Sequence, residues 1–209
     1  MAEKRAIHDE VRTALDEWWA GIVPILGPRI KSVILSGSGA EGDYAPAVSD
    51  IDLYAVVDPL LQRSESGPVE AWHEPKEVTL RGRPGYWREI MTLQYLPPAM
   101  VSNPRDAFEY LSVRPRSTWW VTSNMSPFSR YTIIRHGYCY RGEPVTFAPP
   151  TEADLLDNIE REMNRWVAGA GEKLKDARWV ADKVDRMERA SATKSARRFW
   201  PGSKPQGNP

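Results

Sequence analysis

Cysteine is almost missing from this sequence: Cys139 stands alone among 209 residues. A lone cysteine excludes an intramolecular disulfide and fits a reducing compartment. Histidine is nearly as scarce. His8, His73 and His136 are scattered without metal-ligand spacing, so each reads as a surface or structural residue rather than a zinc ligand. Net charge is absent as well, because Lys plus Arg and Asp plus Glu both number 28. A balanced chain has no bulk attraction for nucleic acid or an anionic membrane. No apolar run approaches the roughly 20 residues of a membrane span. The opening MAEKRAIHDE has no apolar segment of the kind a secretory signal carries. The expectation is a cytoplasmic protein with no membrane partner and no nucleic acid. The length suits one full domain, alone or with a smaller helical appendage.

The patterns that are present begin with residues 4–23. There Ile7, Val11, Ala14, Leu15, Trp18 and Ile22 recur at spacings of three and four, which predicts a helix ended by Pro24 and Gly27-Pro28. Ser32–Leu35 reads as a short strand, and Ile51–Val57 as a second, buried one. Residues 58–75 read as a loop. Glu77–Leu80 and Tyr86–Leu96, separated by RGRPG, read as a hairpin. Residues 104–112 and 115–124 are ambiguous, and Trp119-Trp120-Val121 reads as core. Tyr131–His136 fits a short helix or a strand. Thr151 with Asp154 predicts a capping box. Leu155, Leu156, Ile159, Met163, Trp166 and Val167 then mark an amphipathic helix, broken at GAG 169–171. Leu174, Ala177, Val180, Val184 and Met187 mark another, followed by a basic tail expected to be disordered. The division expected is 1–148 for an α/β domain, 149–192 for a short helical segment and 193–209 for the tail.

The chemistry concentrates in LSGSGAEGDYAPAVSDIDLYAVV, residues 35–57. Alternate strand side chains share a face, so Asp50 and Asp52 point the same way. Two adjacent carboxylates repel unless a cation lies between them. A hard divalent ion with oxygen ligands answers that, and Mg²⁺ shares its remaining positions with water and substrate phosphates. Gly37-Ser38-Gly39 can serve as the phosphate cradle: small residues let backbone N–H groups approach an anion. Each half alone is weak, since Gly-Ser-Gly is usually a turn and D-x-D pairs arise by chance. Their order and spacing carry the argument. Elsewhere the plain readings prevail. Cys139 is an inert core residue, Trp18, Trp119 and Trp166 are core, and Asp43 closes a turn. Asp157, Glu160 and Glu162 form a solvated face that a cationic acceptor could also meet.

The stretch GSGAEGDYAPAVSDIDL resembles the signature of the polymerase-β-type nucleotidyltransferase superfamily, especially its small antibiotic-modifying adenylyltransferases. The matching positions are Gly37, Ser38, Gly42, Asp43, Ser49, Asp50, Asp52 and Leu53. REIMTLQYLPPAMV is similar to their later strand with its Tyr-x-Pro exit. RYTIIRHGYCYRGEPVTFAPPTEADLL is similar to their link into a helical C-terminal region. The resemblance implies an α/β (α+β) fold with a mixed sheet flanked by helices. It also implies two-metal transfer of a nucleoside monophosphate from MgATP, or another NTP, to a hydroxyl of a small-molecule acceptor of aminoglycoside type. Asp50 and Asp52 would hold Mg²⁺, and Gly37, Ser38 and Gly39 would hold the nucleotide phosphates. Glu89 would be the third carboxylate, with Glu77 as runner-up. Two departures stand out. Relatives often carry an acid three residues before the Tyr-x-Pro tyrosine, and here that position is Thr92. The region after Pro150 is short, which leaves the acceptor pocket shallow, truncated or completed by another subunit of a homo-oligomer. Two other readings stay open: an antitoxin-like enzyme modifying a protein or RNA, and a degenerate domain that binds nucleotide without turnover.

Overall fold

The computed structural model describes residues 7–46, 48–75 and 77–173. Contacts divide the chain into a unit of residues 1–158 and a second of residues 159–209. The first unit is built on a mixed six-stranded sheet in the order β5-β4-β3-β2-β1-β6. The strands are β1 (Ile30–Ser36), β2 (Ile51–Val57), β3 (Met91–Leu96), β4 (Phe108–Arg114), β5 (Ser117–Ser123) and β6 (Tyr138–Gly142). Only β2 and β3 pair in parallel; the other neighbours are antiparallel. The expected mixed sheet flanked by helices is therefore the fold.

Alternation sorts the side chains to two cores. Ile51, Leu53, Ala55 and Val57 of β2 lie in a core shared with α1 (Asp9–Leu26), α3 (Gly67–His73) and Trp87 of α4 (Trp87–Ile90). Val56, Leu96 and Tyr110 face the opposite side, against Met100 of α5 (Pro98–Ser102) and Ile133 of α6 (Pro127–His136). Close approach fixes the first layer: a Cβ on Gly21 of α1 would come within 2.0 Å of the Trp72 ring. At the centre of that layer Trp18 donates to the Tyr95 hydroxyl (3.4 Å), and the same oxygen meets His73 Nε2 at 2.7 Å. His73 is thus the satisfied structural histidine expected. Burial holds its pKa down at about 3.

Several elements differ from the sequence reading. Helix α1 runs through Pro24 to Leu26, because Ile22 and Leu26 both bury and the lost N–H falls in its last turn. Residues 58–75 contain a 3₁₀ turn at Arg63–Glu65 and α3, where a loop was expected. Residues 77–80 form no strand, so the expected hairpin does not exist. Residues 87–90 are a helical turn, and β3 starts at Met91, pairing in parallel with β2. Residues 104–124 resolve into the β4–β5 hairpin. Trp119 is 36% exposed on the edge strand rather than core. Cys139 is only partly buried, on edge strand β6. The capping box is present: Asp154 N–H donates to Thr151 Oγ1, and Thr151 N–H donates to the Asp154 carboxylate. Helix α7 (Glu152–Lys173) continues through Gly169 without the expected break. The helix expected over 174–187 and the tail over 193–209 lie outside the described residues. Among the described residues no helix is long and apolar enough to cross a membrane.

Candidate active site

Strand register assembles the site. Asp52 is opposite Ser36 on one side and Thr92 on the other. One rung beyond the Leu93–Val113 pair, the β3–β4 register sets Arg114 across from Thr92. The row Ser36, Asp52, Thr92, Arg114 therefore crosses four strands on one face of the sheet. Asp50 precedes β2 at the same end. The loop leading to it is closed by Ser49, whose N–H donates to the Ala45 carbonyl while its Oγ accepts from Ala45 N–H.

Beyond Ser36 the chain enters α2 (Gly37–Glu41) with Gly37 at φ 62°. A Cβ on Gly37 would stand 2.7 Å from Asp52 Oδ2. Glycine is thus required twice, for the left-handed backbone and for the close approach. Amides in a first helical turn lack intrahelical acceptors, so the turn carries donors beside the carboxylate. Gly39 is buried, its hydrogens against Leu35, leaving only its backbone to offer a ligand. Gly42 at φ 78° ends the helix. Asp43 N–H donates to the Ser38 carbonyl, a backbone bond that does not involve its carboxylate.

Both aspartates line a cleft of about 620 Å³ with Ser49, Tyr86, Glu89, Thr92 and Arg114. Burial, and then the Asp50 charge, push the Asp52 carboxyl up to about 6, while Arg114 opposes the shift. Such a pair is primed to accept a cation. The donor set of two carboxylates and the Thr92 hydroxyl suits a hard ion that keeps waters. Glu89 shares the cleft but is already engaged. Its carboxylate takes Arg116 Nε at 3.1 Å and Nη2 at 3.4 Å, and accepts Thr79 N–H at 3.2 Å. Among the described residues no three His, Cys, Asp or Glu side chains group as a metal cluster. Glu77 is exposed and does not line the cleft. Asp157 and Glu160 are exposed on α7.

Sequence reasoning missed Arg114 and Arg116. Both lie around the β4–β5 turn, and only strand pairing reveals what they face. The one available signal was VRPRS, two arginines flanking a proline.

No protein-family model matches the chain, and no curated protein matches it. Among solved structures, the fold is similar to that of a spectinomycin adenyltransferase from Enterococcus faecialis, crystallised with ATP and spectinomycin. The match has a TM-score of 0.57 and 12% identity over 76% of this chain and 68% of that one. At that identity the likeness speaks to the fold alone.

Proposed function

We propose that the protein is a metal-dependent nucleotidyltransferase that moves a nucleoside monophosphate from ATP, or another NTP, to a hydroxyl of a small acceptor. The observation that carries this reading is the packing of the Gly-Ser turn against Asp52, so close that a Cβ on Gly37 would stand 2.7 Å from the carboxylate oxygen. Asp50 and Asp52 would hold Mg²⁺, which when bound neutralises charge on the pyrophosphate leaving group. Backbone N–H groups at Gly37, Ser38 and Gly39, with the Ser38 hydroxyl, would bind the β- and γ-phosphates.

In the reaction, the acceptor oxygen forms a bond to the α-phosphorus. The bond from that phosphorus to the α–β bridging oxygen breaks, and its electron pair leaves with pyrophosphate. The hydroxyl proton passes to a carboxylate. Glu89 is the candidate, because it opens on the same cleft and Arg116 holds it in one orientation. The similarity to a protein crystallised with ATP and spectinomycin supports an aminoglycoside-type acceptor.

Thr92 beside Asp52 favours a second reading, nucleotide binding without turnover. Pyrophosphate release from an NTP mixture with Mg²⁺, with and without an aminoglycoside pool, separates the two. Drug-dependent release supports transfer to a small molecule. Mg²⁺-dependent nucleotide binding without release, whatever the acceptor, supports the second reading. Label transferred to protein or RNA instead would move the acceptor to the antitoxin-like class.

A further inference from the structure

We infer that Arg114 is a phosphate-binding residue and that it supplies, beside a single Mg²⁺, the positive charge that a second metal supplies in a two-metal site. The inference rests on the nucleotidyltransferase reading and goes beyond it.

Two ions in one site need enough anionic ligands to hold them apart and neutral. Here the rung beside Asp52 carries Thr92, whose hydroxyl brings no charge. The remaining acid of the cleft, Glu89, is held by Arg116 and the Thr79 amide. Asp50 and Asp52 together offer two negative charges, which one divalent ion balances.

The next rung then matters. Arg114 is the sole cation among the described residues that line the cleft. Strands stand about 4.8 Å apart, so two rungs separate Asp52 and Arg114 by roughly 10 Å. A phosphate held between metal and guanidinium fits such a gap, and Thr92, which lies between the two, lines the same cleft. Arg114 lies over the Trp119 ring, 5.5 Å from its centroid, so the exposed edge-strand tryptophan acts as a platform for the guanidinium. Arginine suits the task because its planar fork meets phosphate oxygens two at a time and stays charged at any working pH. When the bridging oxygen departs with its electron pair, the guanidinium faces the growing charge on pyrophosphate.

The test measures binding and uses the full chain. Mn²⁺ is titrated into wild type with α,β-methylene-ATP, an analogue that cannot release pyrophosphate, and bound ions are counted by electron paramagnetic resonance. One Mn²⁺ per chain is expected; two overturns the inference. Calorimetry then compares the metal-bound analogue on wild type, Arg114→Met and Arg114→Lys. The expectation is at least tenfold weaker binding for Arg114→Met with partial recovery for Arg114→Lys, at unchanged melting temperature. Binding within twofold of wild type for Arg114→Met overturns the inference and leaves the nucleotidyltransferase reading standing. No analogue binding by wild type overturns both. A further variant sharpens the assignment. Thr92→Asp puts a third carboxylate on the rung, so two Mn²⁺ should bind, and adding Arg114→Met to it should cost less than threefold. A full tenfold loss in that background would mean that Arg114 does not stand in for an ion.

Discussion

The two walls of the cleft carry acids of opposite kind. On the β2 wall, Asp52 is part-buried beside Asp50, and its carboxyl is pushed up to about 6. On the α4 wall, Glu89 is clamped by Arg116 and a backbone N–H. Both are carboxylates in one cavity, yet the first lacks compensation that a bound cation would provide, and the second already has it. The difference teaches where a ligand is needed. A candidate ligand site is better argued where charge is gathered at a cost in desolvation than merely where an acid is found.

The largest effect should come from the β2 wall. Asp50→Asn and Asp52→Asn should each lower Mg²⁺-dependent transfer by about 10³-fold or more, because the ion then loses half its anionic ligands. Stability should not fall, since each change removes charge repulsion. Thermal melting alongside pyrophosphate release checks both halves. Wild-type turnover in either variant would break the comparison at its root. On the α4 wall, Glu89→Gln should cost about 10²-fold, the usual scale for a general base. Full activity in Glu89→Gln would make that wall a scaffold only.

The walls also differ in how much of them the sequence displayed. Ile51–Val57 matched its strand to the residue, and the Gly37 turn was legible because small residues between two apolar strands are local signals. Asp52 lies on β2 where its strand was read, whereas Asp50 stands just before the strand and lines the same cleft. The α4 wall was misread for a physical reason. Its parts come from Thr79, Glu89 and Arg116, which meet only through tertiary contact. RGRPG carried real turn chemistry, but it connects no hairpin. β3 found its partner in β2 instead, where parallel pairing buries both faces. The β4–β5 hairpin was obscured by its turn, Arg114-Pro115-Arg116-Ser117. There Arg116 takes φ 60° without being glycine.

Acid should loosen the α4 wall first. His73 stacks edge-on against Trp87 of α4 at 5.3 Å. Its folded pKa lies near 3, below the ordinary 6.5. Between those values the unfolded chain binds the extra proton, so stability rises with pH across that window. The His73 contribution is therefore complete above about pH 6.5 and declines by up to about 1.4 kcal/mol per unit as pH falls toward 3, while Asp52, raised to about 6, acts in the opposite sense over its own range. His73→Gln keeps a hydrogen-bonding group facing Tyr95 and removes the titration. Denaturant melts from pH 7 to 4 should show a shallower slope in the variant. An unchanged slope would assign the acid sensitivity to another group.

The smallest effect isolates the clamp itself. Arg116→Gly and Arg116→Ala both delete the ion pair with Glu89. That pair is half-exposed on the arginine side and contributes about 0–1 kcal/mol to stability. They differ in backbone alone: glycine adopts φ 60° freely, whereas alanine pays about 1 kcal/mol for the left-handed region. Arg116→Gly should thus be the more stable variant by about that amount, while both lose activity equally. Equal loss would mean that Arg116 acts on catalysis through Glu89. If Arg116→Gly kept activity that Arg116→Ala lost, the turn's shape would be what matters, and the two walls would differ in backbone placement rather than in charge.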